Sequence, residues 1–281
     1  TALGINPATF DPANSSFSPQ NSSLAGFSGG NPDLTEETAK TWTAGIVLRP
    51  SFVPGLSVTA DWYDIRLTQA VQYSTAQDIV DLCYDQPTTT NVYCQLLTRS
   101  PTTGFVSSYQ VIPQNVASFK TAGLDVTLDY RFEPFNNAGT FNLRFRGNYL
   151  HRLNFVPSLG ADPENQLDSA TYPAPKYSAT FDLTWTKGPL SINYGVNWWS
   201  KTRRVTREQE AANPDYLPAE FIWYKEKWDH ELFASYDVDE RFNIYAGINN
   251  LFDSKPDVGA VAYPISAVGR SFFVGVKANF F

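Results

Sequence analysis

The sequence has no methionine, only two cysteines and two histidines, and just 17% charged residues among its 281 positions. Each shortage excludes something. No apolar run approaches the roughly 18 residues of a membrane-spanning helix, so any membrane crossing has to be made by strands. Lys and Arg are outnumbered, giving a net charge of −7. That balance argues against nucleic acid, which calls for a basic footprint, and against a polybasic patch for an anionic membrane surface. Soluble domains carry about a quarter charged residues, so this surface is unusually poor in charge. The signatures GxSxG, HExxH and the P-loop are missing, as are zinc and EF-hand spacings. His151 and His230 read as strand-end and strand-face residues rather than bases. We therefore expect no catalytic residue, no cofactor, no metal site and no enzyme. A charged start followed by an apolar stretch is also missing, which with the lack of Met predicts a processed chain or part of a longer one.

What is abundant is aromatic: 7 Trp, 15 Tyr and 20 Phe, 15% of the chain. These rings fall into strand-like runs with a period of two. In 140–150, Phe141, Leu143, Phe145 and Tyr149 oppose Asn142, Arg144, Arg146 and Asn148. In 176–186, Tyr177, Ala179, Phe181, Leu183 and Trp185 oppose Ser178, Thr180, Asp182 and Thr184. Nine strands are predicted, at roughly 40–49, 56–69, 108–132, 140–153, 176–187, 190–201, 223–237, 242–250 and 269–281. A helical turn fits 75–85. The connections alternate between short breaks (PSFVPG, EPFNNAG, KGP, DVDER) and long polar segments.

A sandwich gives no such bias in loop lengths, whereas outer-membrane barrels join their strands by short turns on one side and long loops on the other. The predicted fold is therefore all-β, an antiparallel transmembrane β-barrel. Leu143, Phe145, Phe181, Leu183, Val274 and Val276 are expected to face lipid, with Asn142, Arg144, Arg146 and Asp182 facing the interior. Tyr149, Trp185, Trp198, Trp199 and Tyr236 near strand ends suit interfacial girdles. Nine antiparallel strands cannot close a barrel whose two termini share one side, and open edges in lipid are prohibitive. The chain reads as part of a larger barrel. Cys83 and Cys94, ten residues apart in between, default to a disulfide in an oxidising compartment; free thiols or a metal pair are the rivals.

NPDLTEET (31–38), PGLSVTADWYDIRL (54–67), NVASFKTAGLDVTLDYRF (115–132), GINNLFD (247–253) and the final strand resemble the C-terminal half of the barrel of a TonB-dependent outer-membrane receptor. The resemblance implies a 22-stranded plugged barrel in the bacterial outer membrane, of which residues 40–281 are the C-terminal part and 1–39 an outer loop or entry segment. The plug and first strands are expected to lie outside this chain. It further implies active import of a scarce nutrient, whether siderophore, oligosaccharide, peptide or cobalamin, with the TonB complex acting through the plug. Other implied partners are the remaining strands, the lipid bilayer and the barrel-assembly machinery, which reads a terminal aromatic, here Phe280 or Phe281. Asn142, Arg144, Arg146 and Asp182 become candidates for facing the lumen or plug. Trp199, Arg203, Arg204, Tyr216 and Trp223, near an outer loop, become candidates for stacking on a ligand. The competing readings are a secreted β-sandwich that binds glycans and a passive porin.

Overall fold

The computed structural model describes residues 24–85, 90–101, 104, 106–159, 161–169, 174–257, 259 and 264–278. The period-two runs become strands. In chain order these are β1 (Ala25–Ser28), β2 (Thr38–Leu48), β3 (Leu56–Gln72), β4 (Leu97–Arg99), β5 (Val106–Val111), β6 (Gln114–Phe132), β7 (Thr140–Val156) and β8 (Glu164–Asn165). There follow β9 (Tyr177–Lys187), β10 (Leu190–Trp199), β11 (Thr202–Arg203), β12 (Trp223–Tyr224), β13 (Lys227–Asp237), β14 (Phe242–Asn249) and β15 (Ser271–Ala278). The helices are α1 (Ala76–Asp85), α2 (Val92–Gln95) and α3 (Arg207–Ala212).

Nine of these strands form one wall in the order β2-β3-β6-β7-β9-β10-β13-β14-β15, with the two-residue β8 paired beside β7. The neighbours are sequential because each short turn delivers the next strand straight onto the last. Gly188 and Pro189 suffice between β9 and β10. Between β13 and β14 the Asp239 carboxylate accepts the Arg241 and Phe242 amides, each at 2.8 Å. Among the described residues β2 and β15 have one strand neighbour each.

Two predicted runs divide. The stretch 108–132 breaks at Ile112 and Pro113, where proline offers no N–H to a ladder; β5 leaves to pair with β1 and β4, and β6 begins at Gln114. The stretch 223–237 yields β12, which pairs with β11, and β13 in the wall. The last strand is described to Ala278, so Phe280 and Phe281 lie outside the described residues.

The sequence motifs turn out to be tethers. Asn115 donates to the Thr35 and Gln69 carbonyls at 2.9 and 2.8 Å and accepts the Thr35 amide at 2.8 Å. Asn31 donates to the Pro113 carbonyl at 2.9 Å, and Glu37 accepts the Val71 amide at 2.6 Å. In NNLFD, Asn250 and Asp253 adopt left-handed backbone, φ 50° and 54°, which Asn and Asp tolerate best after glycine. The Asn250 side chain bonds the Ser254 amide and carbonyl at 2.7 and 2.8 Å, while Asp253 accepts the Arg270 amide at 2.9 Å. The motif thus fastens both ends of the connection between β14 and β15.

The described residues within 1–39, 67–119 and 156–163 make one compact unit and the other described residues a second. The first holds a core of Ile79, Cys83, Tyr93, Leu96 and Leu97, stapled by the Cys83–Cys94 disulfide, with S–S 2.03 Å and Cα atoms 4.7 Å apart. Asn91 caps α2 by accepting the Tyr93 and Cys94 amides, and the Tyr93 hydroxyl accepts the Leu159 amide at 2.9 Å. Burial pushes the Tyr93 phenol above its ordinary pKa. The second unit is the wall with its remaining loops.

Candidate functional site

The strand registers separate the wall into two chemically opposed faces. Leu143 pairs with Leu183 and Phe145 with Phe181; one residue along, Arg144 pairs with Asp182 and Asn142 with Thr184. Val274 and Val276 join the apolar face through Ala246 and Ile244. That face stays open, with Val274 78% exposed, although large apolar side chains are ordinarily the most buried.

Rings bound the apolar face at both ends. Toward the short turns, Phe132 stacks on Phe141 at 5.4 Å, and Phe141 meets Trp185 at 6.5 Å. Toward the long loops, Tyr149 stacks on Tyr177 at 5.2 Å and Trp198 meets Trp228 at 5.7 Å. His151 and His230 join this second belt: His151 lies 5.5 Å from Trp62, and the His230 ring hydrogen-bonds the Tyr194 hydroxyl at 2.7 Å. Phe141 and Tyr149 are eight residues apart, as are Tyr177 and Trp185. At about 3.4 Å per residue that is roughly 27 Å of strand, or about 20 Å of height at barrel tilt, close to the ~25 Å apolar band of outer-membrane barrels.

The other face carries a charged ladder. Arg144 pairs with Asp129 at 2.6 Å and lies in register with Asp182, which continues through Gly195 to Glu231. Asn148 donates to Asp125 at 2.6 Å, and Asn193 to Thr184 at 2.9 Å. All four residues expected on this side, Asn142, Arg144, Arg146 and Asp182, line one cavity of about 330 Å³ with Thr184 and Asn193. Arg146 also lines a second of about 390 Å³, which Trp199 lines at the long-loop end. Among the described residues Arg146 has no ion-pair partner.

A third cluster joins the long connections. The pairing of β11 with β12 sets Arg203 opposite Trp223. The Arg203 and Lys201 cations lie 4.8 and 4.3 Å from the Trp223 ring, and Arg204 lies 4.2 Å from Tyr224 and 5.9 Å from Phe221. Arg203 is also ion-paired to Glu210 of α3, and burial lowers its pKa while leaving it a cation. Arg207 reaches Asp168 at 3.2 Å. Lys227 binds Asp257 at 2.6 Å. Burial alone would raise the Asp257 carboxyl, but Lys227 and the Lys225 amide hold it below its ordinary value. Arg204 and Lys201 lie against aromatic faces without an ion pair among the described residues, although Asp257 is close enough for the Arg204 charge to help lower its pKa.

The site residues thus fall into two groups. Arg203, Arg204 and Trp223 come together; Trp199 belongs with Arg146 on the wall, and Tyr216, 58% exposed, stands apart. Lys201, Lys227 and Asp257 were not anticipated. Pairings over 30 residues, such as Lys227 with Asp257, leave no local period to find. Phe221 and Tyr224 lie in the same loop stretch as Tyr216 and Trp223, the residues the sequence singled out.

Sequential strands, alternating connection lengths and two aromatic belts on one face define an outer-membrane β-barrel wall. The description "TonB dependent receptor-like, beta-barrel" matches residues 4–251, and the chain belongs to that family, whose members lie in the bacterial outer membrane. The β-sandwich reading ends here. No curated protein matches the chain. Among solved structures, a ferric enterobactin receptor from Pseudomonas aeruginosa is 15% identical with TM-score 0.56, covering 89% of this chain and 32% of its own. The iron transporter FrpB of Neisseria meningitidis is 13% identical with TM-score 0.57, covering 90% and 33%. A copper transporter, OprC, is 15% identical with TM-score 0.51, covering 89% and 33%. At such identities the likeness is one of fold. The chain spans about a third of the length of these proteins.

Proposed function

We propose that this chain supplies wall and outer loops to a transporter that imports a scarce nutrient across the outer membrane, driven from the inner membrane through TonB. The carrying observation is the pairing of an exposed apolar face between two aromatic belts with a charged ladder on the reverse. Lipid suits the first and a wet, occupied lumen the second. Arg146 and Trp199 then stand on the lumen wall below the loops. Arg203, Arg204 and Trp223 form part of the entrance, with Arg204 placed to meet an anionic or planar ligand. The remaining strands, a plug and the barrel-assembly machinery complete the set of partners.

Uptake by cells expressing the whole receptor tests this reading. Labelled ferric siderophores, cobalamin, peptides and oligosaccharides are offered in turn, with and without a protonophore. Receptor-dependent uptake abolished by the protonophore is expected for one class. Receptor-dependent uptake that survives the protonophore contradicts active import and favours the passive porin.

A further inference from the structure

The apolar face of the wall has a gap in it. Gly147 stands opposite Ala179 in the register of β7 with β9, so two neighbouring positions carry no large side chain. With Leu124, Val126 and Phe145 they line an apolar cavity of about 250 Å³, which Tyr149 and Tyr177 bound on the long-loop side. Beyond those rings the outward side chains turn cationic. The Lys176 ammonium lies 6.0 and 5.7 Å from the Tyr149 and Tyr177 rings. His151 hydrogen-bonds the Tyr149 hydroxyl at 3.2 Å and lies 5.5 Å from Trp62. Trp62 therefore points outward, and Asp64 and Arg66 share its face by alternation. Asp64 pairs with Arg152 at 2.8 Å and with Arg66 at 3.4 Å. A Cβ on Gly45 would meet the Asp61 carboxylate on the reverse, so Trp42 and Lys40 point outward too. Among the described residues Lys40 and Lys176 have no ion pair. From β2 to the start of β9 these cations span four strand spacings, about 19 Å.

We propose that the cavity and the cations beyond it form a site on the outside of the barrel for one outer-leaflet lipid that carries more than one phosphate. The inference rests on the lipid assignment of this face made above. The cavity takes part of an acyl chain. Lys176 and the two guanidiniums take phosphates, which accept strong charge-assisted hydrogen bonds from such groups. Asp64 uses only some of the five N–H donors on each arginine and holds the pair side by side. Phosphates set apart suit cations spread over five strands better than a single phosphodiester does. A headgroup amine would meet Lys40 and Lys176 with like charge. A transported ligand travels on the reverse, where Arg146 stands.

Native mass spectrometry of the whole receptor in detergent tests this, with bisphosphorylated lipid A, monophosphorylated lipid A, phosphatidylethanolamine and inorganic pyrophosphate as probes. Bisphosphorylated lipid A should be retained most tightly, and pyrophosphate should not displace it. Lys40→Gln with Lys176→Gln should weaken retention at least about tenfold, the ratio one charge-assisted contact sets. Ala179→Phe, which fills the cavity and leaves every charge, should weaken it as well. If the double variant fails to assemble, Lys176→Gln alone carries the test in the same direction. Equal retention of the three lipids, displacement by pyrophosphate, or unchanged retention in either variant would overturn the proposal. Uptake separates it from the import reading: a receptor that selects the lipid but shows no protonophore-sensitive uptake refutes import alone.

Discussion

The two units of the chain bury apolar groups by different rules. In the disulfide-stapled unit Tyr93 and Ile79 are each only 1% exposed, packed beneath two short helices as in any protein folded against water. In the wall, Trp42 is 80% and Phe272 70% exposed, while ion pairs and amides gather on the reverse. The same side-chain types are hidden in one place and displayed in the other. A core needs a solvent to exclude, and the wall displays its apolar groups because lipid is the solvent it faces.

The strongest way to test that contrast is to empty the water-type core. Tyr93→Ala should destabilise the stapled unit by about 3–5 kcal/mol, the usual range for truncating a large buried aromatic. Hydrogen exchange should show the loss across 67–119 and leave β9 and β10 protected. Next comes the membrane-type face. Leu183→Arg should cost about 2–4 kcal/mol in a folding titration in lipid, and Thr184→Arg on the reverse much less. Equal costs would erase the distinction between faces.

Removing the staple sharpens the comparison further. Cys83→Ser with Cys94→Ser should weaken the small unit by at most about 3 kcal/mol on the loop-entropy account, with no change in wall stability. Asp257→Asn should loosen the loop cluster by about 1–2 kcal/mol, the scale of a hydrogen bond to a charged group, read as faster exchange at Lys225.

The smallest effect is set by pH. Lys255 and the Arg270 amide hold Asp253 below its ordinary value of 3.8, and Asp257 is lowered as well. A carboxyl lowered on folding stabilises above its unfolded pKa and loses that contribution as pH falls through the folded one. Protection of the amides in 250–257, taken relative to intrinsic exchange at each pH, should therefore be flat from pH 8 to about 5 and fall only below about 4. Loosening near pH 6 would contradict this assignment to Asp253 and Asp257.

Much of the wall was legible because a two-residue period is a local signal. Leu143 and Arg144 announce their faces without help from distant residues, and the turn chemistry of KGP and DVDER places the strand ends. The misread boundaries share one cause. A strand run says nothing about which sheet receives it, so β5 and β12 were joined to wall strands although each pairs elsewhere. The loop cluster was half visible for the same reason. Arg203 and Trp223 are conspicuous residues, but their meeting depends on a hairpin between β11 and β12, and Trp199 faces the wall because the register of β10 puts it there. The period alone puts Tyr245 on the polar side with Asn243 and Asn249, but only the registers bring Phe233 and Phe273 beside it.

The central claim is that alternate residues of the wall meet lipid and lumen. Nitroxide spin labels placed one at a time from Ser178 to Trp185 in the reconstituted whole receptor test it most directly. Oxygen accessibility should peak at Ala179, Phe181 and Leu183 and dip at Thr180, Asp182 and Thr184. A profile without that period of two would contradict the account.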